Sequence, residues 1–421
     1  MLNPVAPFRI ALRERNIRLL LAGLAASQAG DWLYNLALLV LVYNRTHSSM
    51  WVGFTTAARI LPEVALGPLG GVLTDRIDRR RLMLGSDLLR VAVMGALAAV
   101  ASTGAPVILV PVLAALCTAV GSAYPPCVAA VLPRLADEQQ LPAANAARIS
   151  ITHVCVVAGP LFGAALLLLG SPAVAIAING ATFAAGAAAV AALPREPLRL
   201  PSASHAEEHN GLVSELRTGW HALRGERDAL ALAGGELVAS AVYGAFTVLL
   251  VLLSRRLGAG AGGYGYLLAG MGAGGVLATG LANRAAVSKR PRRAVAIAVA
   301  VVGVPAPILA VAGAMPVAFA LTAVFGAGSI VAEVVVDTWL QRALDPAVFA
   351  RAYGLVVPAC VAGIAAGALL APVAVELFGL DGTFVLIGLA VVAYGALLAR
   401  PRRREAITAR VPALSPARAG M

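Results

Sequence analysis

The chain has 421 residues, of which 60% are hydrophobic and 13% charged, and its mean hydropathy is +0.84. These values exclude an ordinary soluble domain and mark an integral membrane protein. The formal net charge of +12 does not indicate a nucleic-acid partner, because the basic residues are distributed in topological blocks rather than gathered in one domain.

In chain order, apolar runs able to cross a roughly 30 Å hydrocarbon layer as helices of about 20 residues are predicted at 19–43, 51–74, 82–103, 106–132, 142–169 and 171–193. A second set is predicted at 229–254, 262–285, 294–313, 316–341, 353–378 and 381–399. The fold class read from this pattern is an all-α polytopic membrane protein with about twelve transmembrane helices in two six-helix halves. The expected division is 1–193 for the N-terminal half, 194–228 for a linker, 229–400 for the C-terminal half and 401–421 for a tail. The first run is long, is followed directly by further spans and lacks a small-residue cleavage site, so it reads as a membrane helix rather than a signal peptide.

Ionisable side chains inside spans are the natural places to look for mechanism, because hydrocarbon offers them no partners. In span 1, Gln28, Asp31 and Asn35 form one polar stripe. Asp31 lies about 20 Å beyond Arg18 along a helix rising about 1.5 Å per residue, near mid-membrane. Span 2 carries Arg59 and Glu63 at i, i+4, which predicts a neutralising pair on one face, either member of which can exchange partners with Asp31. Between spans 2 and 3, the stretch Gly67–Leu84 holds Asp75, Arg76, Asp78, Arg79, Arg80 and Arg81. So charged a turn must leave the bilayer, and its cationic density marks the cytoplasmic side. Asp87 and Arg90 in span 3 read as a structural near pair towards the cytoplasmic end. His153 in span 5 is a secondary proton-relay candidate, and Arg148 either snorkels or compensates a carboxylate.

The linker opens with Pro194, Pro197 and Pro201, and further on Leu212, Val213, Leu216, Trp220 and Leu223 recur at helical spacing. That pattern predicts an amphipathic helix on the membrane surface. In span 7, Glu236, Ser240, Tyr243 and Thr247 make a continuous polar face that should line a cavity. The glycines from Gly270 to Gly280 in span 8 read as small-residue helix packing. Span 10 sets Glu333, Asp337 and Gln341 at successive i+4 positions, and crowding two carboxylates on one face favours a shared proton. Cys117, Cys127, Cys155 and Cys360 all fall within spans without metal-ligand spacing, so no metal or cofactor is expected. Most of the 33 Lys and Arg residues lie in alternate connections, whereas Arg45, Arg255 and Arg256 stand on the other side. This asymmetry places both termini and the linker in the cytoplasm, in the cytoplasmic membrane of a bacterium.

The spacing of Gly71, Asp75, Arg76, Arg79 and Arg80 resembles the loop between helices 2 and 3 of the major facilitator superfamily. Gly159, Pro160, Leu161, Phe162 and Gly163 in span 5 match the glycine-proline signature of its antiporters, where small residues permit close helix contact. Pro125, Pro126, Pro133, Asn145 and Ala146, with Gln341, Arg342, Arg351 and Gly354, look like its drug:proton antiporter branch, which includes macrolide efflux pumps and enterobactin exporters. Two departures stand out: Asp78 occupies a usual glycine position, and span 4 lacks the membrane arginine that many drug antiporters place there.

The resemblance implies a major facilitator fold in which helices 1, 4, 7 and 10 surround a central cavity. Gln28, Asn35, Arg59, Thr118, Ser122, Ser240 and Tyr243 are then cavity candidates, and Asp31, Glu63, Glu236, Glu333 and Asp337 are proton-coupling candidates. It also implies that the loop after helix 2 is a conformational latch, Asp75 facing the N-terminus of helix 11 and the arginines engaging Asp137 or Glu138. The expected activity is export of a small lipophilic or amphiphilic compound in exchange for protons by a monomer. An uncoupled lipid facilitator or a nutrient importer of the same fold is the alternative. A membrane-embedded enzyme is disfavoured, since no Ser and His or metal-binding constellation emerges.

Overall fold

The structure, a computed structural model, describes residues 14–137, 140–169, 171–195, 212–226, 228–286, 288, 290–344 and 346–400. The side chains of Gly71, Asp75, Arg76, His153, Pro160 and Arg351 lie outside the described residues, as does all of Glu138. Among the described residues the chain is helical, without a strand. The helices are α1 (Arg15–Thr46), α2 (Ser49–Arg76), α3 (Arg79–Ser102), α4 (Leu109–Gly121), α5 (Tyr124–Leu135), α6 (Leu141–Leu169) and α7 (Pro172–Ala192). They continue with α8 (Leu212–Gly225), α9 (Ala229–Arg256), α10 (Gly260–Ala286), α11 (Pro291–Gly303), α12 (Pro305–Ala310), α13 (Met315–Ala343) and α14 (Pro346–Ala399).

The interruptions follow from proline and glycine. Span 4 is broken into α4 and α5 just before Tyr124, Pro125 and Pro126, since proline lacks the N–H that would continue the hydrogen-bond ladder, although the preceding backbone stays in the helical region. Val304 separates α11 from α12 ahead of Pro305 in the same way. The 54-residue α14 is divided at Gly379, whose φ of 71° and ψ of 172° are not helical. Tyr353 and Leu398, near its two ends, contact residues at one face of the molecule, while Asp381 next to the kink pairs with Arg256 at the other. The chain therefore reverses at Gly379.

Eight stretches among the described residues are long and apolar enough to cross a membrane, and the last, Ala352–Ala399, is 48 residues long and sufficient for two. The full set of twelve is not recovered by that measure. The polar stripe of α1 and the charges of α2 lower their hydropathy, although these helices are 32 and 28 residues long.

Helices α1 to α7 pack among themselves, chiefly α1 and α3 on α7, and α9 to α14 form a second group in which α10 packs on α13 and α9 on α14. The two groups meet through α2 with α14 and through α6 with α10. Phe246, Phe325 and Phe384 sit at the centre of the second group, with the first two rings stacked at 4.5 Å. In lipid such cores are held by close packing and dispersion rather than by expulsion of water. Helix α8 packs against α14 and α9, with Leu223 buried and Trp220 exposed beneath Arg224.

The two ends of the bundle differ. One, here the basic face, carries Arg79, Arg80, Arg81, Arg284, Arg290, Arg292 and Arg293; the opposite face carries Arg45, Arg255 and Arg256. Towards the opposite face every residue of α1 from Tyr34 to Val42 is buried, and so is nearly all of α9 from Gly244 to Ser254. A helix buried on every side is enclosed, so the molecule is closed at this end. Two contacts between the groups seal it. A Cβ on Gly53 of α2 would lie 2.2 Å from the Ala368 carbonyl oxygen of α14, an approach that only glycine permits. Arg255 of α9 donates to Asn44 Oδ1 of α1 and lies 4.6 Å over the Tyr43 ring. The other two arginines work within their own groups: Arg45 donates to the terminal carbonyls of α3, including Val100 at 2.7 Å, and Arg256 ties Asp381 to the Leu309 carbonyl.

Candidate functional site

Towards the basic face charged side chains of both groups stand on either side of their junction, called here the cleft. On the first side, Asp31 of α1 accepts from Arg90 of α3 at 3.2 Å and from Asn179 Nδ2 of α7 at 3.4 Å. Gly30 lets α7 come this near, because a Cβ there would meet Asn179 Oδ1 at 2.3 Å. The Asp31 side chain remains 41% exposed, so it is held yet open to the cleft. Arg90 also reaches Asp87 at 3.6 Å, and its guanidinium lies 3.7 Å over the Phe183 ring. Asp87 is fully buried, and neither of its oxygens has a hydrogen bond. One arginine thus serves two carboxylates of different exposure.

The break between α4 and α5 helps to hold that arginine. Gly121 leaves room for the guanidinium, where a Cβ would stand 3.4 Å from Cζ, and the Tyr124 ring is 5.9 Å from it. Ser86 donates to the Val120 carbonyl beside the break at 2.9 Å, satisfying a backbone group there. The stretch 106–132 carries no arginine, and Arg90 of the neighbouring helix lies against its break. Asp87 and Arg90, expected to be a local structural pair, belong to the Asp31 cluster because Arg90 is long enough to cross to α1.

The second side is different. Glu236 of α9 lies within electrostatic reach of Glu333 and Asp337 of α13. Tyr353 of α14 donates to Asp337 Oδ2 at 3.2 Å, while Glu236 Oε2 and Asp337 Oδ1 are buried without a partner. Glu333 is exposed. None of the three carboxylates forms an ion pair among the described residues.

Between the sides stands Arg59 of α2, half-buried, with its Nε unpartnered and Asp31, Tyr243 and Tyr264 within electrostatic reach. The expected Arg59–Glu63 ion pair is absent among the described residues: Glu63 is exposed a turn further on, and Arg59 is directed to the junction of the two groups. Gln28 is half-buried with a free Oε1, and Asn35 is buried near the closed end. Thr118 and Ser122 donate to carbonyls of their own helix, Ala114 at 3.3 Å and Ala119 at 2.8 Å. Ser240 and Tyr243 are half-buried on the face of α9 that also carries Glu236. Gly159 and Gly163 bring α6 against α1, where a Cβ on Gly159 would meet Trp32 Cβ at 2.3 Å.

In the loop after α2, the side chains of Gly71, Asp75 and Arg76 are outside the described residues. Arg79 is buried, Arg80 donates to the Leu193 and Ala191 carbonyls at the end of α7, and Asp78 caps α3 by accepting from the Arg81 N–H at 3.0 Å. The capping gives a local purpose to an aspartate where the resemblance leads one to expect glycine.

Sequence reasoning missed Asn179. The available signal was a lone amide in an alanine-rich span, with Phe183 and Gly186 following on the same face at i+4 and i+7.

Known proteins give this geometry a context. The sequence profile described as Major Facilitator Superfamily matches residues 20–362. Over 214 residues the chain is 26% identical to macrolide efflux protein A of Streptococcus pyogenes, covering 50% of this chain and 52% of that one. Over 275 residues it is 28% identical to BacE of Bacillus subtilis, a protein named for bacilysin export, covering 64% and 66%. The chain thus spans about half the length of the first relative it matches. Among solved structures, the nucleoside transporter NupG superposes with a TM-score of 0.70 at 12% identity, over 91% of this chain and 98% of that one. A bacterial homologue of the human lysosomal transporter Spinster superposes with a TM-score of 0.63 at 16% identity, over 91% and 95%. At such identities the likeness is one of fold alone.

Proposed function

The chain belongs to the major facilitator superfamily and is a multi-pass membrane transporter rather than an enzyme; from that premise we propose that it exports a small lipophilic or amphiphilic compound in exchange for protons by alternating access. The observation that carries this reading is the charge inside the cleft. Asp31 is held by Arg90 but exposed, and three carboxylates of the second group lie together without an ion pair among the described residues. Such groups persist in a membrane where they bind ions, protons or substrate. The similarity to proteins named for macrolide efflux and bacilysin export favours outward movement.

The asymmetry of Lys and Arg assigns the basic face to the cytoplasm of a bacterial cell, with both termini on that side. The cleft then opens inward, and Arg255 with Gly53 closes the exterior. Protonation of Asp31 releases Arg90, which has Asp87 at 3.6 Å as its alternative partner. Deprotonation reverses the exchange. An inward-moving proton yields about 2.3 kcal/mol per 100 mV, enough for one or two of them to sustain a substantial gradient of exported compound. Glu236, Glu333 and Asp337 receive the cationic portion of a substrate or a further proton, while Gln28, Arg59, Ser240 and Tyr243 supply polar contacts on apolar walls. Gly71, Asp75, Arg76, Arg79 and Arg80 form a latch on the cytoplasmic side, a reading that rests on the resemblance of their spacing to the family's loop. A monomer suffices, since the cleft is built from one chain.

The test is a panel of lipophilic cations, neutral amphiphiles and antibiotics added to inverted vesicles holding a preformed proton gradient. A transported compound should release protons in the wild type and fail to do so in Asp31→Asn. Transport indifferent to an uncoupler would establish facilitation instead, and accumulation only in the opposite vesicle orientation would establish import.

A further inference from the structure

On the lipid-facing side of the second group, α10, α11 and α13 enclose a groove of about 520 Å3 at the basic face. Its rim carries Arg284 from the last turn of α10, Ser288 and Arg290 from the following connection, and Arg293 from the first turn of α11. Its walls are apolar, with Leu281, Ile297 and Val331 running from the rim towards the middle of the membrane. Leu281 and Ile297 are 63% and 56% exposed, so these walls stand open to the surroundings. No acidic residue lines the groove among the described residues.

The rim arginines are not committed elsewhere. Arg292, in the same run, donates to the Leu398 carbonyl at 2.8 Å and approaches Asp228 at 3.7 Å. Arg284, Arg290 and Arg293 are exposed and form no ion pair among the described residues. Three guanidinium groups converging over an apolar trough match a ligand with an anionic head and a hydrocarbon tail. Leu281 is one helical turn from Arg284, so the change from apolar to cationic occurs over about 5 Å, the scale on which acyl chain gives way to headgroup.

From this we propose that the groove binds one anionic phospholipid of the adjoining leaflet. Its phosphate is held by Arg284, Arg290 and Arg293 through charge-assisted hydrogen bonds, with Ser288 as a further donor, and the start of one acyl chain lies along Leu281 and Ile297. The leaflet is cytoplasmic if the proposed orientation holds; the binding itself does not depend on it. A zwitterionic lipid carries no net charge to meet three arginines and is bound less well. Helices α10 and α13 pack against each other here, so the lipid bridges two elements of the second group from its outer side.

The experiment uses the full chain in mild detergent and measures lipid retention by native mass spectrometry. The probes are phosphatidylglycerol, phosphatidylcholine with the same acyl chains, and soluble glycerol phosphate as competitor. Phosphatidylglycerol should be retained at a concentration about tenfold lower or better than phosphatidylcholine. The triple variant Arg284→Gln, Arg290→Gln and Arg293→Gln should lose that preference. Leu281→Trp, which fills the groove and leaves the charges in place, should weaken retention of both lipids. Equal retention of the two lipids by the wild type, or an undiminished preference in the triple variant, would overturn the proposal. Full displacement by glycerol phosphate would do the same, by showing an anion site without a lipid trough. Because no efflux is measured, failure of the export reading leaves this result untouched, and the reverse also holds.

Discussion

The two sides of the cleft solve the burial of charge in opposite ways. On the side of α1, α3 and α7, Asp31 and Asp87 share Arg90, and Asn179 and the Phe183 ring complete the arrangement. On the side of α9, α13 and α14, Glu236, Glu333 and Asp337 lie together, with Tyr353 as a neutral donor and no cation paired to them among the described residues. A buried charge without a partner costs several kcal/mol, so the first side sets Arg90 between its carboxylates, whereas the second offers a neutral donor and, among the described residues, no cation. The difference teaches that pseudo-equivalent halves need not divide the work equally. One sets a single arginine between two carboxylates, and the other gathers carboxylates around a neutral donor.

The largest expected effect breaks the first side. Arg90→Ala leaves two carboxylates uncompensated and should cost about 3–5 kcal/mol, seen as loss of the folded species in detergent and a much lower melting temperature. Combining it with Asp87→Asn should recover part of that loss; no recovery would mean that Asp87 and Arg90 are not energetically coupled. Next comes Asp31→Asn, which preserves size and the contact with Asn179. Proton-coupled efflux should fall on the order of 10²-fold in a well-folded protein, and wild-type coupling would remove Asp31 from the mechanism.

Smaller changes sharpen the contrast. Glu333→Gln should reduce transport of cationic compounds about tenfold while sparing neutral ones, whereas Asp337→Asn should be milder because Tyr353 still has an acceptor. Equal losses for neutral and cationic compounds would show that these acids serve protons alone. The smallest effect belongs to the closed end: Arg255→Ala removes one hydrogen bond and one cation–π contact, together about 1–2 kcal/mol. Distance measurements between labels at the outer ends of α1 and α9 should show the open population rising about tenfold, and an unchanged distribution would assign closure to the Gly53 seam alone.

Much of this was legible beforehand. Helical spans, the polar faces of α1 and α9, and the crowding of Glu333 with Asp337 follow from spacing, because helical period fixes which residues share a face, while the role of Gly159 comes from the family resemblance. Partners across helices are another matter. Arg59 has Glu63 in register on its own helix, yet it turns to the junction of the two groups, and Arg90 keeps its local partner Asp87 while also reaching Asp31. A long guanidinium side chain reaches beyond its own helix face, and only the packing of α3 against α7, with α1 beside it, decides where it ends. The span count suffers for the same reason: the side chains that make α1 and α2 interesting are those that lower their apolar signal.

The links at the closed end have a mechanical consequence. Helices α1 and α2 are joined only by His47 and Ser48, with His47 in the left-handed region at φ 52° bonding back to the Tyr43 carbonyl, and the two arms of α14 are joined at Gly379 alone. Joints this short hold no slack that could be let out. A helix cannot swing there without carrying its neighbour, so under the proposed alternating access opening would proceed by paired helices turning together, as a hinge with stiff leaves rather than a flap on a cord. The same economy leaves little protruding polypeptide on that surface, and an antibody or protease arriving from that side would find little to grip.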